Sequence, residues 1–264
     1  MRPELFTLFG ITFFAYRTML AVAFVVGTLL AARESRRRAG GVELSPMFGV
    51  WALVGALAGA RMFYVVQYEG VAKLWRAAFL WESGLVFYGG LLGGLVAVSL
   101  YLCWNRAPLL ASFDLMAPFL ALGEAITRVG CFLNGCCFGE PSNLPWAVQF
   151  PAQGFAFIAQ REAGLINARA AASIPVHPTQ LYMTLGLVAV FGVLIYCRRR
   201  KSWDGSVFVL YLLLYGCLRF LVEILRGDSV RSVLGVTVSQ AISLCLVLFA
   251  GALLVVRRKR NVRP

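Results

Sequence analysis

Five arginines, Arg17, Arg61, Arg128, Arg219 and Arg226, stand inside or at the ends of long apolar runs. A guanidinium keeps its charge in any protein, and burying one in hydrocarbon is costly unless it faces a cavity or a partner. The nearby acids are Glu124, four residues before Arg128, and Glu223, four after Arg219 and three before Arg226. Both spacings put acid and base on one helix face. Two acids against five arginines predict an excess of three positive charges. An anion is the natural ligand, and phosphate matches the planar donor fork best. The bland alternative is snorkelling toward headgroups. For Arg17 and Arg226, near run ends, the two readings are equal. Arg128 and Arg219 lie deeper, flanked by Gly123, Gly130 and Gly216, which permit close approach, and there a ligand site is favoured.

Other residues add chemistry. His177, the single histidine, opens His177-Pro178-Thr179-Gln180-Leu181-Tyr182. It is either a turn residue or, as the one side chain titrating near neutrality, a candidate base. Cys131, Cys136 and Cys137 form a C-x4-C-C cluster, while Cys103, Cys197, Cys217 and Cys245 are scattered in apolar runs. The cluster can be packed free thiols, a disulfide or a direct participant. A metal site would need a fourth ligand, and no histidine is near in sequence. Gly89, Gly90, Gly93 and Gly94 bare the backbone to a helix or a lipid. Phosphate-binding glycine loops, a Ser-His-Asp order and paired catalytic carboxylates are all missing.

The elements that position these residues follow from composition. Of 264 residues, 60% are hydrophobic and only 14% charged, with a mean hydropathy of +0.77. A soluble domain carries roughly a quarter charged residues. The fold class is therefore an all-α polytopic membrane protein, one integral membrane domain over 1–264. Seven runs approach the ~20 residues a bilayer demands: 11–32, 45–68, 84–104, 113–133, 179–197, 205–226 and 238–256. No run alternates with period two, so strands are not expected. Arg17 and the lack of a small-residue cleavage site mark the first run as a retained helix, not a signal peptide. The polar stretch 134–178, with Pro141, Pro145, Pro151 and Pro175, reads as a loop or small cap outside the membrane.

The net charge of +13 first raises nucleic acid as a partner, but its placement points to a bilayer. Fourteen basic residues follow alternate runs: Arg33, Arg36, Arg37 and Arg38; Arg106; Arg198, Arg199, Arg200 and Lys201; Arg257, Arg258, Lys259, Arg260 and Arg263. The opposite side has six: Arg2, Lys73, Arg76, Arg161, Arg169 and Arg231. The positive-inside rule then puts the C-terminus in the cytoplasm, with the N-terminus and the 134–178 cap outside. With that orientation the five arginines converge on the outer half of the bilayer, at the depth of a lipid phosphate.

Four collinear motifs resemble the bacterial prolipoprotein diacylglyceryl transferase family. Thr127-Arg128-Val129-Gly130-Cys131-Phe132-Leu133-Asn134-Gly135-Cys136-Cys137-Phe138-Gly139 is similar to its signature. Trp81-Glu82-Ser83-Gly84-Leu85-Val86-Phe87-Tyr88-Gly89-Gly90, the His177–Tyr182 motif and the stretch from Tyr215 and Gly216 through Arg219 and Glu223 to Arg226 resemble three more. Tyr16 and Arg61 also match. The resemblance runs from about residue 13 to 256. It implies that Arg128, Arg219, Tyr88 and Tyr16 are catalytic. It implies that Arg61, Gly89, Gly90, Asn134, Gly139, His177, Gln180, Tyr215, Glu223 and Arg226 bind substrate. The implied reaction moves the diacylglyceryl group of phosphatidylglycerol onto the lipobox cysteine thiol of a preprolipoprotein signal peptide, releasing glycerol-1-phosphate in the inner membrane. No metal, organic cofactor or nucleic acid is implied.

The chain departs from the family at chemically loaded positions. Tyr88 stands where the family has histidine, and Cys131 and Cys136 stand at its asparagine and glutamate positions. Tyrosine is a poor base at neutral pH. Two other functions remain alternatives: a paralogue acting on another lipid or acceptor, and a lipid or anion transporter. Against the transporter, no internal repeat is visible.

Overall fold

The computed structural model describes residues 4–8, 10–37, 44–79, 84–152, 154–167, 169–201, 203–229 and 235–262. Of the residues named above, Arg2, Arg38, Trp81, Glu82, Ser83, Arg231 and Arg263 lie outside these ranges. Among the described residues seven helices are long and apolar enough to cross a membrane, and the protein is an all-α, multi-pass membrane protein. They are α1 (Ala15–Arg36), α2 (Met47–Tyr64), α3 (Phe87–Trp104), α4 (Leu109–Asn134), α6 (Thr179–Arg198), α7 (Ser206–Ile224) and α8 (Val238–Val262). A short helix, α5 (Phe155–Glu162), lies between α4 and α6.

The first span starts later than expected, because residues before it form a hairpin. β1 (Glu4–Leu8) pairs antiparallel with β2 (Ile11–Phe14), which corrects the expectation of no strands. Phe6 stacks on Phe13 with centroids 4.8 Å apart, and Gly10 turns the chain at φ 78°. The segment is too short for a periodicity test to register, yet Ile11, Thr12, Phe13 and Phe14 are all strong strand formers.

The chain divides into two compact units, 28–115 and 1–27 with 116–264. In the first, α2 and α3 pack backbone to backbone. A Cβ at Gly59 would strike the Gly89 carbonyl, and one at Gly93 would strike that of Gly55. This is the small-residue packing by which apolar helices associate in lipid. Gly90 lies against Ala56 and Ala60 in the same interface. The helix-packing reading of these glycines is thus realised within this unit.

In the second unit the core joins Ala117, Ala121 and Ala125 of α4, Met183, Leu187, Val190 and Leu194 of α6, and Val207 and Val222 of α7. Gly130 receives Met19 and the Tyr16 backbone of α1, which seats the start of α1 on the end of α4. The 134–178 stretch is a folded cap on its own small core of Phe138, Phe150, Ala156 and Val176. Its ladder contacts pair Val148 with Val176 and Pro151 with Ala172. Buried Gln160 ties α5 to the backbone of Ile174, accepting from its N–H at 2.8 Å.

Candidate active site

The ends of α4 and α7 and the start of α6 meet at a small, partly open cavity. It is lined by Arg128, Cys137, Thr179, Gln180, Met183, Arg219, Val222 and Arg226. Three arginines separated by up to 98 positions in sequence thus share one wall, as their common depth predicts. The i,i+4 spacings act as expected. Arg128 Nη2 lies 2.7 Å from Glu124 Oε1, and Arg219 pairs with Glu223.

Glu223 is 3% exposed and is shared by several side chains. One of its oxygens receives Arg219 and, at 3.4 Å, Arg226. The other accepts from Ser229 Oγ at 2.7 Å and Thr237 Oγ1 at 3.0 Å. Tyr215 donates to Glu124 Oε1 at 3.4 Å, and Arg219 Nη2 donates to Ser239 Oγ at 3.0 Å. These contacts orient the arginines rather than leaving them as free cations.

The expected positive excess needs correction. Arg226 holds Asp228 in a two-donor fork, with Nε at 2.9 Å and Nη2 at 3.0 Å from the two carboxylate oxygens. Around the cavity, three arginines therefore face three carboxylates, Glu124, Glu223 and Asp228. Asp228 lies just past the last apolar residues of α7, where it reads as an ordinary loop acid. Burial opposes the Arg226 charge, but Asp228, Cys137 and Glu223 together raise its pKa above the ordinary arginine value.

Two buried polar atoms beside the cavity have no hydrogen-bond partner, Arg128 Nε and Gln180 Oε1. One is a donor and the other an acceptor, and an unpaired buried polar group costs about 1–3 kcal/mol. Their presence at one cavity marks a place for a ligand with both kinds of group.

The remaining predicted residues divide. Gly139 sits where the cap crosses the chain after α7, and a Cβ there would strike His177 and the Leu225 carbonyl. Its N–H donates to the His177 carbonyl at 3.0 Å. His177 Nδ1 lies 3.3 Å from the Tyr182 hydroxyl, which also receives Trp146 Nε1 at 2.8 Å. His177 is thus joined to the cap and does not line the cavity. Asn134 ends α4 beside Cys136. Arg17 lies over the Phe14 ring, 5.4 Å from its centroid, and is not a cavity residue. Arg61, Tyr88, Gly89 and Gly90 belong to the 28–115 unit. There Arg61 is fully buried, donating to the Arg76 carbonyl at 3.5 Å and lying 5.6 Å from the Tyr64 ring centroid. Tyr88 is 40% exposed, in edge contact with Phe87.

All seven cysteines are free thiols. The sulfurs of Cys131, Cys136 and Cys137 lie within 4.8 Å of one another. Cys137 was not singled out from its neighbours by sequence, yet of the three it alone lines the cavity, with Sγ 4.0 Å from Arg128 Nη1.

Comparison with known proteins shows the family. The family model "Prolipoprotein diacylglyceryl transferase" matches residues 3–256. A Clostridium tetani protein named phosphatidylglycerol–prolipoprotein diacylglyceryl transferase is 31% identical, covering 92% of this chain and 93% of its own length. Proteins of the same name from Finegoldia magna and Gloeobacter violaceus are 30% and 36% identical, covering 97% and 81% of this chain and 96% and 77% of their own. With a family match that extends over residues 3–256 and relatives at 30–36% identity, the chain belongs to the prolipoprotein diacylglyceryl transferase family.

Proposed function

We propose that this protein transfers the diacylglyceryl group of phosphatidylglycerol to the lipobox cysteine of preprolipoproteins, with the cavity of Arg128, Arg219 and Arg226 holding the lipid phosphate. The observation that carries this reading is the convergence of three oriented guanidiniums on a cavity where Arg128 Nε lacks a partner. As the glycerol C–O bond breaks, charge builds on the departing glycerol-1-phosphate. Guanidiniums already aimed at that position stabilise it without reorganising. Glu124, Glu223 and Tyr215 are positioning residues, and the cap at Gly139 and His177 closes the region beside the cavity. The test is expression in cells depleted of their own transferase. Restored lipoprotein maturation supports the reading, whereas failure by a well-inserted protein favours the paralogue with another acceptor.

The same reading puts the protein in the inner membrane with its N-terminus and cap outside. Reporter fusions at residue 155 are expected to be active outside the cytoplasm, and a cytoplasmic signal there contradicts the orientation.

Tyr88 occupies the position of the family histidine. The resemblance makes its hydroxyl a candidate for the histidine's role, and Tyr88→His is expected to retain transfer while Tyr88→Phe lowers it. Equal activity of Phe and Tyr in a purified assay makes the hydroxyl dispensable.

A further inference from the structure

A thiol acceptor with a pKa of about 8.5 must lose its proton before it can attack carbon. The histidine that the resemblance supplies for this purpose is replaced here, and His177 is tied into the cap. We propose that Cys137 accepts the proton of the incoming lipobox thiol. The proposal rests on the reading of the cavity as the phosphate site.

Cys137 stands in the left-handed backbone region at φ 62°, which a non-glycine residue enters only at a steric cost. The surrounding side chains hold it there. Thr179 Oγ1 donates to the Cys137 carbonyl at 2.6 Å, and Gln180 Nε2 donates to the Cys136 carbonyl at 2.7 Å. Strain maintained in this way is typical of positions that aim a functional group. Here the sulfur is turned into the cavity wall beside Arg128. The second mark of a ligand is independent of the cysteine. Gln180, 1% exposed, lines the same cavity with Oε1 unpaired.

The groups facing the sulfur favour its ionised form. Hydrogen bonds from Cys131, then from Cys136, lower its pKa; burial opposes them; Arg226 and Arg128 lower it further. Tyr16 of α1 also faces the three thiols, and Glu124 and Glu223 temper the arginines. The same groups keep the sulfur ionised and ready to take up a proton as the C–S bond forms, and they make the resulting thiol a good acid for passing that proton on.

The step balances. The lipobox S–H bond breaks and its proton passes to the Cys137 thiolate. The lipobox thiolate forms a C–S bond to the glycerol carbon of the diacylglyceryl group. The C–O bond to phosphate breaks, and glycerol-1-phosphate leaves with the electron pair. Cys137 then returns its proton to that phosphate. No oxidant or metal takes part.

The experiment uses the full-length protein in phosphatidylglycerol vesicles with a lipobox peptide. Cys137→Ser is expected to lower kcat by about 10²–10⁴-fold while the vesicle lipid still binds. Wild-type kcat falls as pH drops through the Cys137 titration, and Cys137→Ser lacks that acid limb. Cys131→Ser with Cys136→Ser keeps hydroxyl donors and retains activity within about tenfold. The corresponding double alanine loses both donors, which raises the Cys137 pKa and moves the acid limb to higher pH. Iodoacetamide labelling follows the same titration, with Cys103, Cys197, Cys217 and Cys245 replaced by alanine.

Wild-type kcat in Cys137→Ser, with Arg128→Lys inactive, overturns the proposal and leaves the phosphate site standing. Wild-type rates in both variants overturn the phosphate site as well. A diacylglyceryl adduct on Cys137 in the absence of peptide makes it a nucleophile and overturns the base role. Labelling that appears only after a chelator is added assigns the three thiols to a metal and overturns it too.

Discussion

Arg128→Lys and Arg219→Lys are each expected to reduce diacylglyceryl transfer by about 10²–10³-fold, or about 3–4 kcal/mol of barrier, while the protein still inserts and folds. Each side chain has two tasks. One edge of the guanidinium binds an acid, Glu124 or Glu223, while both side chains also line the cavity. An ammonium keeps the charge but lacks the rigid fork, so it cannot bind the acid and present planar donors to phosphate together. Because the bond to phosphate strengthens as the leaving group departs, the loss falls mainly on kcat. Lysine at Arg161, on α5, or at Arg200, which lies over the Tyr196 ring, is expected to be tolerated, since neither residue lines the cavity. A radiolabelled-lipid transfer assay with a lipobox peptide measures the effect, and vesicle binding reads lipid affinity independently. Wild-type transfer by both lysine variants makes these arginines structural partners of their glutamates and removes the phosphate-site reading.

Glu223→Ala is expected to destabilise the protein by about 3–5 kcal/mol, the usual cost of removing one member of a buried ion pair. The carboxylate receives two arginines and two hydroxyls, and its loss leaves Arg219 held by Ser239. Arg226 is less affected because Asp228 holds two of its nitrogens. Glu223→Gln keeps an oxygen that can accept from Ser229 and Thr237, and its cost is expected to be smaller. Transfer falls in both variants, because Arg219 is no longer oriented. Thermal unfolding in detergent, followed by tryptophan fluorescence, orders the three proteins as wild type, then Gln, then Ala. Equal stability of Ala and wild type contradicts the shared-carboxylate arrangement.

Much of the site was legible in the amino-acid order because its rules are local. Apolar run length alone determines seven spans, and a spacing of three or four along a helix determines that Glu124 meets Arg128 and that Glu223 meets Arg219 and Arg226. The cap, too, announces itself by its prolines. The tertiary structure alone decided what depends on contacts between distant segments. It brought Arg128 of α4 to the same cavity as Arg219 of α7, and Tyr215 to Glu124 across 91 positions. It turned Asp228 back on Arg226 and cancelled the expected surplus of charge, since loop direction rather than helical period sets that pairing. It also separated three adjacent thiols by role. Cys131 is buried at the end of α4, whereas hydrogen bonds from Thr179 and Gln180 hold the left-handed turn that puts Cys137 on the cavity wall. No spacing rule reports such a turn, because the side chains that hold it enter from another helix.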